Sequence, residues 1–325
     1  MKLEGNKFLI TGGAGLMGSF IADRLIAKGA SEIILLDNFV RGSMHNIEDA
    51  LKDKRVKLVK GDIRDLDLLR DLATDVNGVF HMAALRITAC ADNPREAMEV
   101  MLIGTHNVLQ TVAEKKVGKL VYASSASVYG LADVFPTSEK HHAFNNRTLY
   151  GTAKIAGEGM ARSFADMYGI QYVALRYFNV YGPRMDIYGK YTEVLIRWLD
   201  RIAAGQPPVI FGDGTQTMDL VYIDDVTDAN IAAMESDVTD EVFNVASGVE
   251  TSLLGLLQTL LKVTGSTLKP EFLPARTVNP VPRRLADTRK AENLLGFKAK
   301  VDVEEGMRRL IAWRNELLAR QSRAV

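Results

Sequence analysis

Tyr150 and Lys154 stand four residues apart in Tyr150-Gly151-Thr152-Ala153-Lys154. In a helix that spacing puts both side chains on one face, one turn apart. A phenol next to an ammonium can serve as a base. A free tyrosine ionises near pKa ~10, so abstracting a proton at pH 7 requires the phenolate to be favoured by about 4 kcal/mol. A fixed ammonium supplies part of that by favouring the charged form. On its own the pair reads as easily as a surface tyrosine and lysine. Its meaning comes from the elements that position it.

The run Lys7-Phe8-Leu9-Ile10-Thr11 reads as a short buried strand, followed by Gly12-Gly13-Ala14-Gly15-Leu16-Met17-Gly18 and an amphipathic helix to about Lys28. Strand, glycine turn and helix in this order form a dinucleotide cradle. Gly12 allows the tight turn, Gly15 lets a pyrophosphate approach the backbone, and Gly18 lets helix pack on strand. The phosphates then lie at the positive end of the helix. The next strand, Glu32–Leu36, ends at Asp37-Asn38, about 20 residues past the glycines, where an acid grips the adenosine ribose. Asp37 accepts from both ribose hydroxyls and repels a 2′-phosphate, which predicts NAD; Arg41 nearby leaves NADP open. Such a cofactor places an oxidised nicotinamide, a second positive group, against Tyr150.

Strands and helices keep alternating. Val56–Val59 ends at Gly61-Asp62-Ile63, with Asp62 set to meet the adenine amino group. Gly78–Met82 leads into the small turn residues Ala83 and Ala84; His81 beside them reads as a core histidine. A long helix is predicted from Pro94 to about Lys116, then a strand Lys119–Ala123 ending in Ser124-Ser125-Ala126-Ser127-Val128-Tyr129-Gly130. A loop with His141 and His142 leads to the Tyr150 helix, and Gln171–Phe178 is another strand. This pattern predicts an α/β fold with a doubly wound parallel sheet of the Rossmann type, with ligands at the carboxyl ends of the strands. After Phe178 the pattern loosens into a second, smaller α/β unit. A helix from Tyr191 to Ala204 has Trp198 as a core residue, and Val242–Val245 rejoins the sheet. The predicted division is 1–178 plus 221–247 for the dinucleotide and 179–220 plus 248–318 for substrate.

The 325 residues carry 40 Lys and Arg against 40 Asp and Glu, which gives no basic surface for nucleic acid. Cys90 is the single cysteine, so there is no internal disulfide or cysteine metal cluster, and a reducing cytoplasm fits. No signal-peptide architecture and no apolar run of membrane-spanning length is present.

These motifs together resemble the extended short-chain dehydrogenase/reductase family, in its nucleotide-sugar epimerase/dehydratase branch. The resemblance covers nearly the whole chain. It rests on Gly12 to Gly18, Asp37-Asn38, Gly61-Asp62-Ile63-Arg64, His81 to Ala84, Ser124 to Gly130, Tyr150 to Lys154, Arg176 to Arg184, and Gly212-Asp213-Gly214 through Val226. It implies that Tyr150 takes the proton from the sugar 4-hydroxyl while hydride passes from C4 to NAD. Lys154 would bind the nicotinamide ribose and hold the phenolate. Ser125 would hydrogen-bond the oxygen at C4. The cofactor contacts implied are Gly12, Gly15, Leu16, Met17, Gly18, Asp37, Asn38, Asp62, Ile63, Ala83, Ala84, Arg86, Ser124 and Tyr177, besides Tyr150 and Lys154. Ser124 would chiefly support its loop.

Within the branch, related 4,6-dehydratases place Asp-Glu after this serine, and hexuronate decarboxylases place Glu at the position of Ser127. Here the residues are Ala126 and Ser127, and neither acid is present. Oxidation at C4 followed by hydride return to the other face remains, which is 4-epimerisation of a UDP-hexose or UDP-hexuronate. Substrate contacts implied are Asn179 and Arg276 at the diphosphate, and Arg86, Thr88 and Arg184 at a sugar carboxylate. Two positions depart from the family. Met218 stands where relatives carry a phosphate-binding arginine, which leaves Arg184 or Arg283 to compensate, and Met101 stands where relatives carry asparagine. Two rivals remain: a dehydrogenase, ketoreductase or dehydratase that releases a keto sugar, and a non-catalytic nucleotide sensor. A homodimer is expected, with Val108, Val112, Ile155 and Met160 either on an outer helical face or packed on the sheet.

Overall fold

A computed structural model describes residues 1–187, 193–275 and 281–323, the last three of them as backbone only. In chain order the elements are β1 Lys7–Thr11, α1 Leu16–Ala27, β2 Glu32–Asp37, β3 Val56–Lys60, α2 Leu66–Leu72, β4 Gly78–His81, α3 Ile87–Asp92, α4 Pro94–Met98, α5 Thr105–Glu114, β5 Lys119–Ser125, α6 Leu149–Tyr168 and β6 Tyr172–Tyr177. Then come β7 Asn179–Tyr181, α7 Val194–Ala203, β8 Val209–Phe211, β9 Thr217–Tyr222, α8 Ile223–Glu235, β10 Glu241–Val245, β11 Glu250–Ser252, α9 Leu253–Thr264, β12 Glu271–Leu273, α10 Arg289–Leu295 and α11 Val303–Arg323.

Seven strands form one parallel sheet in the order β10-β6-β5-β4-β1-β2-β3. Both faces are covered, which is why β1, β2 and β5 read as continuous apolar runs rather than alternating ones. One face packs Phe8, Ile10, Val121 and Val173 with Ile21 and Leu25 of α1 and Val226 and Ala229 of α8. The other packs Leu9, Ile34, Val79 and Leu120 with Val108, Leu109 and Val112 of α5 and Ala153 and Ala161 of α6. Val108 and Val112 are 2% and 1% exposed. The sheet therefore takes them, and they are not part of an outer association face.

The predicted helix from Pro94 is interrupted by a π-helical turn at Glu99–Gly104. There the Met101 thioether accepts the Leu85 N–H at 3.2 Å, and a Cβ on Gly104 would lie 2.6 Å from Ile63 Cδ1. His81 is a core histidine as expected. It lies 2.7 Å from the Thr11 hydroxyl and 3.1 Å from that of Thr105, and burial pushes its pKa down to about 3. The unfolded chain therefore binds a proton below pH 6.5 that the folded chain refuses, and stability falls as pH drops through that value. At pH 5 the expected contribution is a loss of about 2 kcal/mol. Urea titrations at pH 7 and 5 measure it, and His81→Gln should flatten the acid slope whatever it does to the baseline.

The remaining strands build a three-stranded sheet, β11-β9-β7, and a two-stranded one, β12-β8, beside the carboxyl end of the large sheet. Val221 and Tyr222 pair with β7 in the small sheet, and α8 begins at Ile223. Trp198 of α7 is 1% exposed, and its indole N–H donates to the Val209 carbonyl. Arg276 and the predicted start of α7 at Tyr191 lie outside the described residues. None of the described helices is long and apolar enough to cross a membrane.

Candidate active site

The strand order reverses between β1 and β4, and a cleft opens at their carboxyl ends. Gly12 adopts φ +68°, and a Cβ there would sit 2.8 Å from the Ala83 nitrogen. A Cβ on Gly18 would sit 2.2 Å from the Gly12 carbonyl oxygen, so α1 packs on the turn only with glycine there. Gly15 is the N-cap of α1 and offers no side chain, which leaves the first N–H groups of the helix open toward the cleft. Leu16, Met17, Asn38, Asp62, Ile63, Ala83, Ala84 and Arg86 line the same cleft. Asp37 is 7% exposed; its carboxylate accepts from Ala14 N at 2.9 Å and Phe39 N at 2.8 Å. Burial raises its pKa, and the two backbone donors and Arg41 oppose that rise. Asp62 accepts from Arg64 and from Asn38, which hold its pKa at about 2. A small-residue cradle, an open helix N-terminus and two carboxylates at the adenosine end fit a dinucleotide.

The cleft continues into a cavity of about 1270 Å³ between the large sheet and the smaller sheets. Met17, Arg41, Ala84, Arg86 and Glu193 line both and form the passage. Arg41 is thus turned toward the passage, where burial beside Arg86 pulls its pKa down to about 10 and its charge reaches Tyr150.

Tyr150 and Lys154 project from the first turns of α6, whose start is fixed by the Thr148 hydroxyl accepting Gly151 N at 3.1 Å. Ser125 ends β5, and its oxygen accepts from Ser127 N at 3.1 Å. Helix and serine loop approach closely because residue 151 has no side chain: a Cβ there would lie 2.6 Å from the Ser127 carbonyl oxygen and 2.2 Å from Asn146 Oδ1. All three proposed catalytic side chains line the cavity. Lys154 is 2% exposed, and its Nζ donates to the Ala123 carbonyl while lying 5.8 Å from the centre of the Tyr150 ring. Burial pulls the lysine pKa down to about 8. Burial raises that of Tyr150, with the Ser125 hydroxyl and Arg41 acting the other way. Gly151→Ala should move Tyr150 away from Ser125 and lower kcat by roughly 10²-fold, with little change in cofactor content. Steady-state kinetics beside absorbance of the bound cofactor would check this.

Several expected contacts are placed differently. Ser124 lines the cavity, but its hydroxyl lies against Glu158, which holds Arg176 at 2.7 and 2.9 Å. Arg176 in turn donates to the Tyr129 hydroxyl, and Tyr129 donates to Asn244. Ser124 thus joins a network that links β5, α6 and β10, and its hydroxyl is engaged by Glu158. The Tyr177 hydroxyl donates to Asn230 Oδ1 at 2.8 Å, so only its ring faces the cavity. Arg184 is not among the residues lining the larger cavity: it pairs with Asp23 at 2.7 Å, stacks on Phe20 and lines the first cleft. Arg283 is closed off by Glu250 at 2.7 and 2.8 Å. Asn179 and Thr88 do line the cavity, the Asn179 amide donating to the Asp219 carbonyl at 3.1 Å. Arg197 and Arg284, which sequence reading did not single out, line it too. The Asp219 carboxylate accepts from Ser247 N and Oγ, Gly248 N and Ala286 N, and so fixes the segment that carries Arg284.

Comparison with known proteins agrees with this geometry. The family model described as the NAD dependent epimerase/dehydratase family matches residues 8–246. A UDP-glucose 4-epimerase of Mycolicibacterium smegmatis is 34% identical over 93% of this chain and 96% of its own. A UDP-N-acetyl-α-D-glucosaminuronate decarboxylase of Bacillus cytotoxicus is 31% identical over 95% of this chain and 98% of its own. The crystal structure of UDP-glucuronic acid 4-epimerase from Bacillus cereus, in complex with UDP-glucuronic acid and NAD, superposes with a TM-score of 0.88 at 28% identity, covering 96% of this chain and 99% of that one.

Proposed function

Because the chain belongs to the NAD-dependent epimerase/dehydratase family and its cofactor is NAD, we propose that it inverts C4 of a UDP-hexose or UDP-hexuronate through a transient 4-keto sugar. Bound NAD would supply the hydride-accepting and hydride-donating chemistry. Tyr150 takes the C4 hydroxyl proton and later gives it back. Ser125 donates to the same oxygen and holds it against the phenol. Lys154, dried by burial, keeps a positive charge next to the phenol ring and favours the phenolate. Gly12, Gly15 and Gly18 with the α1 N-terminus would hold the pyrophosphate, and Asp37 would hold the adenosine ribose. Asn179 would meet the substrate diphosphate.

The observation that carries the reaction type is the lack of an acid beside Ser125. Among the described residues the only carboxylates lining the cavity are Glu193, which faces Arg86 at 3.4 Å, and Asp213, which is bonded to Thr215. Loss of water is best served by an acid and a base, and loss of a carboxyl group by an acid that protonates the resulting enolate; Ala126 and Ser127, at the positions the family resemblance marks for them, supply none.

The test uses purified protein without added cofactor, incubated separately with UDP-glucuronate, UDP-glucose and UDP-N-acetylglucosamine and followed by proton NMR. The 4-epimer should appear from at least one of them. A keto sugar that accumulates only when NAD⁺ is supplied would move the protein to the dehydrogenases, and a UDP-pentose would make it a decarboxylase.

A further inference from the structure

The reactive end of the cavity carries a charge that C4 chemistry does not use. Arg284 lines the same cavity as Ser125, Tyr150, Phe178 and Asn179. Its Nη1 donates to the Ala126 carbonyl at 2.8 Å, and its backbone N–H is tied to Thr217. Among the described residues no carboxylate pairs with it, and burial pulls its pKa down to about 10. Its neighbour Arg283 is held by Glu250 through Nε and Nη2. A desolvated guanidinium without a counter-ion is costly unless a ligand brings the charge. In the same cavity the buried Thr88 hydroxyl has no hydrogen-bond partner.

Position decides which anion it meets. Ser125 is the proposed partner of the C4 oxygen, and Arg284 is held by the residue directly after it. On a hexose ring C4 is flanked by C3, which bears a hydroxyl, and by C5, which bears C6, so the one neighbouring group that can be an anion is a C6 carboxylate, whereas the diphosphate hangs from C1 across the ring. A planar fork at the C4–C5 end matches a planar carboxylate at C6. We infer that the substrate is a hexuronate, and that Arg284 selects it by binding the C6 carboxylate, with the Thr88 hydroxyl as a second donor in the same cavity. The inference rests on the 4-epimerase reading of the site.

The test compares wild-type protein, Arg284→Gln, Arg284→Lys and Thr88→Val on UDP-glucuronate and UDP-glucose, each variant first checked for bound NAD. Wild type should favour the uronate in kcat/KM. Removing a hydrogen-bonded charge pair should lower kcat/KM for the uronate about 10–100-fold more than for the hexose in Arg284→Gln. Arg284→Lys, which keeps the cation and loses the fork, should fall between. Thr88→Val should shift the same ratio in the same direction by a smaller factor. Equal losses on both sugars would mean that Arg284 grips the diphosphate common to them and would overturn the inference. Wild-type preference for UDP-glucose would overturn it too, while leaving 4-epimerisation standing. If wild type epimerises neither sugar, the epimerase reading fails. Calorimetric binding of the two nucleotides to NAD-loaded protein then decides the carboxylate separately: a uronate preference abolished by Arg284→Gln supports it, and no preference overturns it.

Discussion

Tyr150→Phe should retain NAD through purification and lose roughly 10²–10⁴-fold in kcat. The phenol is buried, and burial alone raises its pKa, away from what a base at neutral pH requires. The opposing forces are therefore the mechanism. A lysine ammonium 5.8 Å from the ring centre favours the phenolate. Arg41 and the positive nicotinamide add to it, and Ser125 stabilises the phenolate by a hydrogen bond. Phenylalanine keeps the ring, its packing and the start of α6, and removes only the oxygen proposed to move the proton. Single-turnover kinetics and cofactor absorbance on the same sample separate the two effects. Near-wild-type turnover in this variant would remove Tyr150 from the role of base.

Gly18→Ala should abolish cofactor retention and lower the melting temperature. Its new Cβ would meet the Gly12 carbonyl oxygen at 2.2 Å and Gly13 Cα at 2.8 Å. Both are backbone, so neither can rotate aside. Relief requires α1 to lift from the turn, which withdraws the helix N-terminus from the pyrophosphate. Overpacking of this kind costs about 1–3 kcal/mol in stability. The larger effect is on binding, because a displaced helix no longer points its N–H groups at the phosphates. Melting curves with and without added NAD should show the destabilisation and little response to NAD. A variant that is purified with full cofactor would contradict this account of the turn.

Much of the site could be read from sequence because its backbone motifs are local. Gly12 to Gly18 and Asp37 follow one strand–turn–helix–strand unit, and Tyr150 and Lys154 sit one turn apart. Parallel pairing then brings the strand ends together whatever the loops do. What sequence did not reveal depends on side-chain partners far along the chain. Ser124 is expected to support its loop, but its partner there, Glu158 on α6, lies far along the chain. Arg283 and Arg284 are adjacent, and their extended backbone sends one to Glu250 and the other into the cavity. Arg184 seemed suited to a carboxylate, yet its turn folds it onto Asp23 and Phe20 of α1. Val108 and Val112 have the spacing of either helical face, and only the sheet beneath them decides.

The central claim is that hydride leaves C4 and comes back to the same carbon. UDP-glucuronate and UDP-glucose deuterated at C4, incubated with the purified protein in ordinary water without added NAD, test it directly. The account predicts that the 4-epimer retains its deuterium at C4. Epimer that has exchanged deuterium for solvent hydrogen would contradict it, because C4 would then be inverted by proton removal from carbon rather than by hydride transfer.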